Sequence, residues 1–357
     1  MSDRIMLGAV AIVIGVVAAV ALLIPFIAIS YRRRGHISAM WLLGWIALAV
    51  YAMSLWTYTL MPLPQDGYRC VGIQLTPFAS VADARAFPHS TPGQILRNPS
   101  VQQVAFNIML FMPLGFLLRT MFRRGLVVAA LAGAGISLFI EATQRTGVWG
   151  LFPCAYRLFD VDDLMANTLG AIAGSVVAVL FVRRRGSSID PSQPRAVTAG
   201  RRLLGMLCDV LFLALLGGML AIGWRAWQMY VEHIPFELLD QDVQSLFAVW
   251  VPLAVQLVWI LASGQSIGES ATLLRGHPTR MPAVLARPLR FVAGIGGYGI
   301  LAALSFPFSG LLLAVLVLLS LVTVWTSRNH RGFAAMVAGM ELEDARVRHG
   351  VRAAART

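Results

Sequence analysis

Three polar sets interrupt hydrophobic runs that have no evident use for them. Asn107 lies in NIMLFMPLGFLL, Glu141 and Gln144 close SLFIEATQR, and Arg157, Asp160, Asp162, Asp163 and Asn167 open YRLFDVDDLMANTLGAIAGSVVAVLF. Glu141 and Gln144, three residues apart, share a helix face, and Asp163, Asn167, Gly170 and Gly174 run along one stripe. Carboxyl groups in such a setting can move a proton or hold a cation, while the amides fill the remaining hydrogen-bond valences. A charge at the bilayer centre costs ~2.5–3.5 kcal/mol on insertion scales, and less toward the interface, so several isolated charges would be hard to retain. The economical arrangement is one shared, outward-facing polar cavity in which Arg157 counters some of the carboxylates. Simpler roles stand beside this one. Asp160, Asp162 or Asp163 could cap a helix amino terminus. Gly170 and Gly174, continued by Ala166 and Ala178, fit close helix packing, and Pro113 fits a kink. Glu141 has the weakest structural reason to be there, since it has no cap to make.

The elements that must position these groups are membrane helices. Of the 357 residues, 58% are hydrophobic and 13% charged, and the mean hydropathy is +0.72. The pattern predicts an all-α polytopic membrane helix bundle of nine transmembrane spans, near 5–30, 39–61, 101–119, 126–144, 162–182, 203–223, 246–262, 290–306 and 309–326. The net charge of +12 suggests nucleic acid at first sight. Its distribution argues for a membrane instead, because the arginines cluster in alternate loops, as in Arg32–Arg34, Arg123–Arg124 and Arg183–Arg185. This bias puts the amino terminus outside and the carboxyl terminus in the cytoplasm. The first run carries its arginines after the apolar stretch, so it reads as a span, not as a cleaved signal. On this topology the third span begins outside, the fourth ends there and the fifth begins there. All three polar sets then lie at one level.

The Gly-, Ser- and Pro-containing stretch 186–200 predicts a linker between a five-span domain, 1–185, and a four-span domain, 201–327, with a cytoplasmic tail at 328–357. The outer loop 62–100 is too long for a simple turn and could be a cap over the helix ends or an exposed excursion. Cys70 in that loop and Cys154 before the fifth span would both meet an oxidising compartment, as a disulfide or as two free thiols. Cys208 reads as a small buried apolar residue.

NIMLFMPLGFLL, the E-x-x-Q of Glu141–Gln144 and the R-x-x-D-x-x-D-x-x-x-N-x-x-G-x-x-x-G from Arg157 to Gly174 together resemble the VanZ-like family of bacterial membrane proteins. The upstream TLMPLP and LTPF extend the resemblance to about residues 40–180. It implies a role at the cell envelope of the kind that gives low-level resistance to the glycopeptide teicoplanin, and it supplies no reaction. In the second half, Arg202 seven residues before Asp209, with GQSIGESATLLRG and RPLRFVAGIGGYG, resembles the RDD family. It departs from that family in offering only Glu269 where a second aspartate belongs.

Three functions follow as expectations. The first is a non-enzymatic envelope protein binding a polar or cationic group of a lipid-linked wall component, envelope polymer or glycopeptide. The second is an envelope-lipid-modifying enzyme with Glu141 or Asp163 as acid or base. The third is an ion-coupled transporter, which would need an ionisable path across the membrane where the sequence has polar groups at two separate ends. The sequence carries no HExxH, CxxC, P-loop or Rossmann pattern, and its six histidines are scattered. Carboxylates suit Mg²⁺ or Ca²⁺, but Arg157 competes for the same charge. No metal, cofactor, nucleic-acid partner or catalytic residue is therefore assigned; the bilayer is the one partner the composition requires.

Overall fold

The computed structural model describes residues 13–61, 64, 67–88, 90–181, 190, 192–235, 241–304 and 306–347. In chain order the helices begin with α1 (Val13–Ala21), α2 (Leu23–Arg34), α3 (Ala39–Leu60), α4 (Ala79–Ala86), α5 (Pro92–Arg97), α6 (Pro99–Thr120), α7 (Leu126–Arg145) and α8 (Val161–Val177). They continue with α9 (Ala199–Tyr230), α10 (Asp242–Ser263), α11 (Ile267–Ala271), α12 (Ala283–Val292), α13 (Ile295–Ala303), α14 (Ser309–Thr326) and α15 (Gly332–Val337). Two short strands, β1 (Ile73–Gln74) and β2 (Phe159–Asp160), pair in parallel, while β3 (Leu274–Pro278) and β4 (Met340–Asp344) pair antiparallel. Among the described residues eight helices are long and apolar enough to cross a bilayer, or nine if α1 and α2, bent where they meet, form one span. The chain is an all-α polytopic membrane protein. The first predicted span starts in residues that lie outside the described ones, as do residues 186–189 and 191 of the predicted linker.

The chain divides into two compact units, one of Met1–Ala19 with Ser38–Ser188 and one of Val20–Ile37 with Ile189–Thr357. In the first unit, α6 and α8 come into backbone contact. A Cβ at Gly174 would stand 1.8 Å from the Met112 carbonyl oxygen, one at Gly170 2.2 Å from that of Ile108, and one at Gly115 1.7 Å from that of Ala171. The glycines therefore serve helix approach. Leu55, Phe111, Leu114, Ile140 and Ala171 form the apolar core around this contact. Beside Pro113, the Tyr51 hydroxyl donates to the Leu110 carbonyl at 3.0 Å, giving that part of the helix an external partner. Local signals set the helix starts. Asn98 accepts from Ser100 N–H with Pro99 in the first turn of α6, and Ser38 accepts from Trp41 N–H at α3.

In the second unit Leu253, Ile260 and Phe291 form one core cluster, and Leu274, Ala286, Ala335, Ala338, Met340 and Leu342 form another. The second cluster draws residues 335–342 into the packing of this unit. Residues 332–337 are helical, and β4 pairs Leu342 with Gly276 and Asp344 with Leu274. Alternating burial along Met-Glu-Leu-Glu-Asp is the strand signal. The mixed charges of the segment obscured it.

Candidate functional site

Each of the three aspartates at the start of α8 has a different task. Asp160 is the N-cap, its side chain accepting from Asp162 N–H at 2.9 Å and from Gln74 Nε2 at 3.3 Å. Asp162 faces the preceding loop and accepts from Phe78 N–H at 2.6 Å, Ser80 N–H at 2.8 Å and the Ser80 hydroxyl at 2.7 Å. Asp163 faces α6, where Asn107 Nδ2 and Gln103 Nε2 donate to the same oxygen at 2.6 and 3.1 Å. One helical turn on, Asn167 donates to the Ser137 hydroxyl of α7 at 2.9 Å, and its buried carbonyl oxygen has no hydrogen-bond partner.

Glu141, 4% exposed, accepts from the Asp160 N–H at 3.2 Å, which ties the end of α7 to the start of α8. It lies within electrostatic reach of the Asp163 and Asp160 carboxylates. Gln144 turns the other way and donates to the Thr59 carbonyl of α3 at 2.6 Å. The Arg157 charge acts on Glu141 through space, without contact. The guanidinium donates to the Met61 carbonyl at 2.7 Å, at the end of α3, and among the described residues it forms no ion pair with a carboxylate. Burial raises Asp160 above the ordinary aspartate range, with repulsion from Asp162 and Asp83 adding to it. Glu141, Asp160, Asp162 and Asp163 thus gather at one end of this unit on neutral donors alone.

The loop after α3 folds back over that end. Cys70 and Cys154 are joined by a disulfide with Cα atoms 5.7 Å apart. Val71 N–H donates to the Ala155 carbonyl at 3.0 Å, and the Tyr68 hydroxyl donates to that of Cys154 at 2.9 Å. The β1–β2 pair and the three bonds to Asp162 continue the attachment to the start of α8. Gln103, Ser137 and Ser80 were not among the residues singled out from sequence. Gln103 and Ser137 had a legible signal, each standing four residues before a polar residue on the same helix face, Asn107 and Glu141. The part Asp162 plays as a loop anchor was not legible, because its loop partners are more than 80 residues away in sequence.

In the second unit Arg202 and Asp209 do not bond to each other. Arg202 pairs with Glu269, which also accepts Arg290, so one buried carboxylate serves two guanidinium groups. Burial alone would push Glu269 up, but Arg290 and Arg202 outweigh it and hold the carboxyl below its ordinary range. Asp209 accepts from the Ser266 hydroxyl at 2.6 Å, Gly268 N–H at 2.7 Å and Gln256 Nε2 at 2.9 Å. Ser266 and Glu269 form a capping box that starts α11, placing Glu269 between the two arginines. Arg290 was not singled out from sequence.

No curated protein and no solved structure matches the chain. The segment that carries Asn107, Glu141 and the Arg157–Gly174 run does match a known family: residues 48–182 match the VanZ/LLP1 family model.

Proposed function

We propose that the VanZ/LLP1 domain binds a cationic or polar group of an envelope component, such as a lipid-linked wall precursor or a glycopeptide of the teicoplanin kind, at the carboxylate-rich end of α7 and α8. The observation that carries this reading is that Asp163 is held by two amides and Glu141 by one peptide N–H, with no cation paired to either among the described residues. Carboxylates drawn together away from bulk water raise one another's energy, and an incoming cation would relieve that repulsion. The arginine bias of the loops supports placing this end outside and the carboxyl terminus in the cytoplasm.

Host susceptibility to teicoplanin, measured beside expression and thermal stability in detergent, tests the reading. Asp163→Asn and Glu141→Gln should fold normally and lose protection. If Asp163→Ala and Asp163→Asn lose stability in step with protection while Glu141→Gln is silent, the cluster serves folding and the reading fails. Retained ligand binding by Glu141→Gln with loss of a chemical change in that ligand would favour the enzyme.

For residues 201–327 we propose an RDD-like membrane module. What supports it is the buried Arg202 and Asp209 together with Glu269, which takes an acid's part toward Arg202.

A further inference from the structure

The second unit holds a cavity of about 340 Å³ among α9, α13, α14 and α15, within the ~300–1,000 Å³ range of small-molecule sites. Its wall is divided in character. Arg202, Glu269 and Arg290 form a charged end, while Met206, Ile295, Leu316 and Phe333 make an apolar body. The charged end is incompletely satisfied. Arg202, 6% exposed, uses only Nη1, which donates to Glu269. Its Nε–H is buried without an acceptor. Among the described residues Nη2 makes no hydrogen bond either. Nε and Nη2 form one edge of the guanidinium, the fork that takes a carboxylate or phosphate through two parallel bonds.

This edge faces a position with no side chain. Gly332, also on the cavity wall, has φ +73°, and a Cβ built on it would lie 3.5 Å from Arg202 Nε and 3.8 Å from Nη2. No carboxylate of the network is left to fill the fork. Glu269 is shared between Arg202 and Arg290, and Asp209 is engaged by Ser266, Gly268 and Gln256. A buried donor without a partner is costly, and an anionic oxygen is the strongest acceptor that can reach an arginine edge.

We propose that this cavity is a binding site for an anionic amphiphile, its carboxylate or phosphate head on the Nε/Nη2 edge of Arg202 and its acyl chain along the apolar body. Arg290, through its Nη2, holds Glu269 against Nη1 of Arg202 and thereby keeps the other edge of Arg202 open for the head. This site is independent of the one proposed in the VanZ/LLP1 domain.

The test uses the full chain in maltoside micelles, labelled with a diazirine-bearing palmitate, and locates the crosslinks by peptide mass spectrometry. Crosslinks should fall on the peptides carrying Met206, Leu316 or Phe333. Oleate or dodecyl phosphate should compete and oleyl alcohol should not, and the relative strength of the two acids separates a carboxylate ligand from a phosphate one. Ser320→Trp, which fills the cavity from α14 without touching the ion network, should lose the labelling. Arg202→Gln should erase the preference for oleate over oleyl alcohol; if that variant fails to fold, Ser320→Trp and the competition series still decide. Equal competition by oleyl alcohol, undiminished labelling of Ser320→Trp, or crosslinks confined to residues off the cavity wall would each overturn the proposal.

Discussion

The Asn107 amide donates to the Asp163 carboxylate at 2.6 Å, joining α6 to α8 two turns along α8 from the place where Gly170 meets the Ile108 carbonyl. A polar pair and a glycine contact thus lie side by side on one helix interface. The glycines bring the helices close enough for the short amide to reach.

The glycine contact makes a stability prediction. Gly174→Ala should force α6 and α8 apart, because its Cβ would stand 1.8 Å from the Met112 oxygen; overpacking of this kind costs about 1–3 kcal/mol or more. Gly135→Ala in α7 meets nothing within 4 Å and should be neutral or slightly stabilising. Thermal unfolding in detergent compares the two, and equal melting points would refute the close contact.

Asp162 and Asp163 are neighbours in sequence with separable roles. Asp162→Ala removes three bonds to the loop at Phe78 and Ser80, each worth about 1.5–3 kcal/mol when charge-assisted. Limited proteolysis should then cut within 67–98 at protease levels that leave wild type and Asp163→Asn intact. Cleavage of both variants alike would show that the two acids do not differ in this way.

Much of this arrangement was legible in the sequence, and its limits have physical causes. Apolar runs marked the helices, and polar residues inside them marked the end where Asn107, Glu141 and Asp163 meet. The disposition of each acid was not legible. A cap, a loop anchor and an interhelical acceptor look alike until the partner chain segment is placed, and Phe78 and Ser80 are remote in sequence from Asp162. The Arg157 charge reaches Glu141 only through space, because the Met61 carbonyl takes its guanidinium, and that placement was not legible. In the second half, spacing along one helix suggested an Arg202–Asp209 pair, whereas α10 and the start of α11 supply the partners from elsewhere in the chain. The strand at 340–344 was hidden because only two of its residues, Met340 and Leu342, are apolar.

The Cys70–Cys154 bond closes a loop across a separation of 84 residues. Its removal in a Cys70→Ser/Cys154→Ser variant should lower stability by about 2–4 kcal/mol, measured by thermal unfolding with and without reductant. Reductant should lower the wild-type melting point toward that of the variant. Joined peptides in unreduced wild type should separate on reduction, and two freely alkylated thiols in unreduced protein would contradict the bond.

A pH dependence follows from Asp344, which accepts from Arg201 at 2.9 Å and from Arg346 at 2.8 Å. Burial opposes ionisation there, but the hydrogen bonds from Arg346 and the charge of Arg201 outweigh it and hold the carboxyl at about 2. A depressed acid stabilises the fold above its unfolded value of 3.8 and loses that contribution as pH falls through the folded value. Hydrogen exchange along β3 and β4 should therefore quicken as pH falls from about 4 to about 2, after correction for intrinsic exchange. Asp344→Asn should remove this pH dependence and cost about 3–5 kcal/mol, as expected for breaking a buried pair.

The central claim is that the carboxylates at the end of α7 and α8, which form no ion pair among the described residues, receive a cation. The most direct measurement is the affinity of purified full-chain protein for a lipid-linked wall precursor bearing a free amine, beside the same precursor after acetylation of that amine. Wild type should bind the amine form and lose most of that affinity on acetylation, while Asp163→Asn, folded and equally stable, should bind both forms equally weakly. Equal binding of the two forms by wild type, or an undiminished amine preference in Asp163→Asn, would contradict the account.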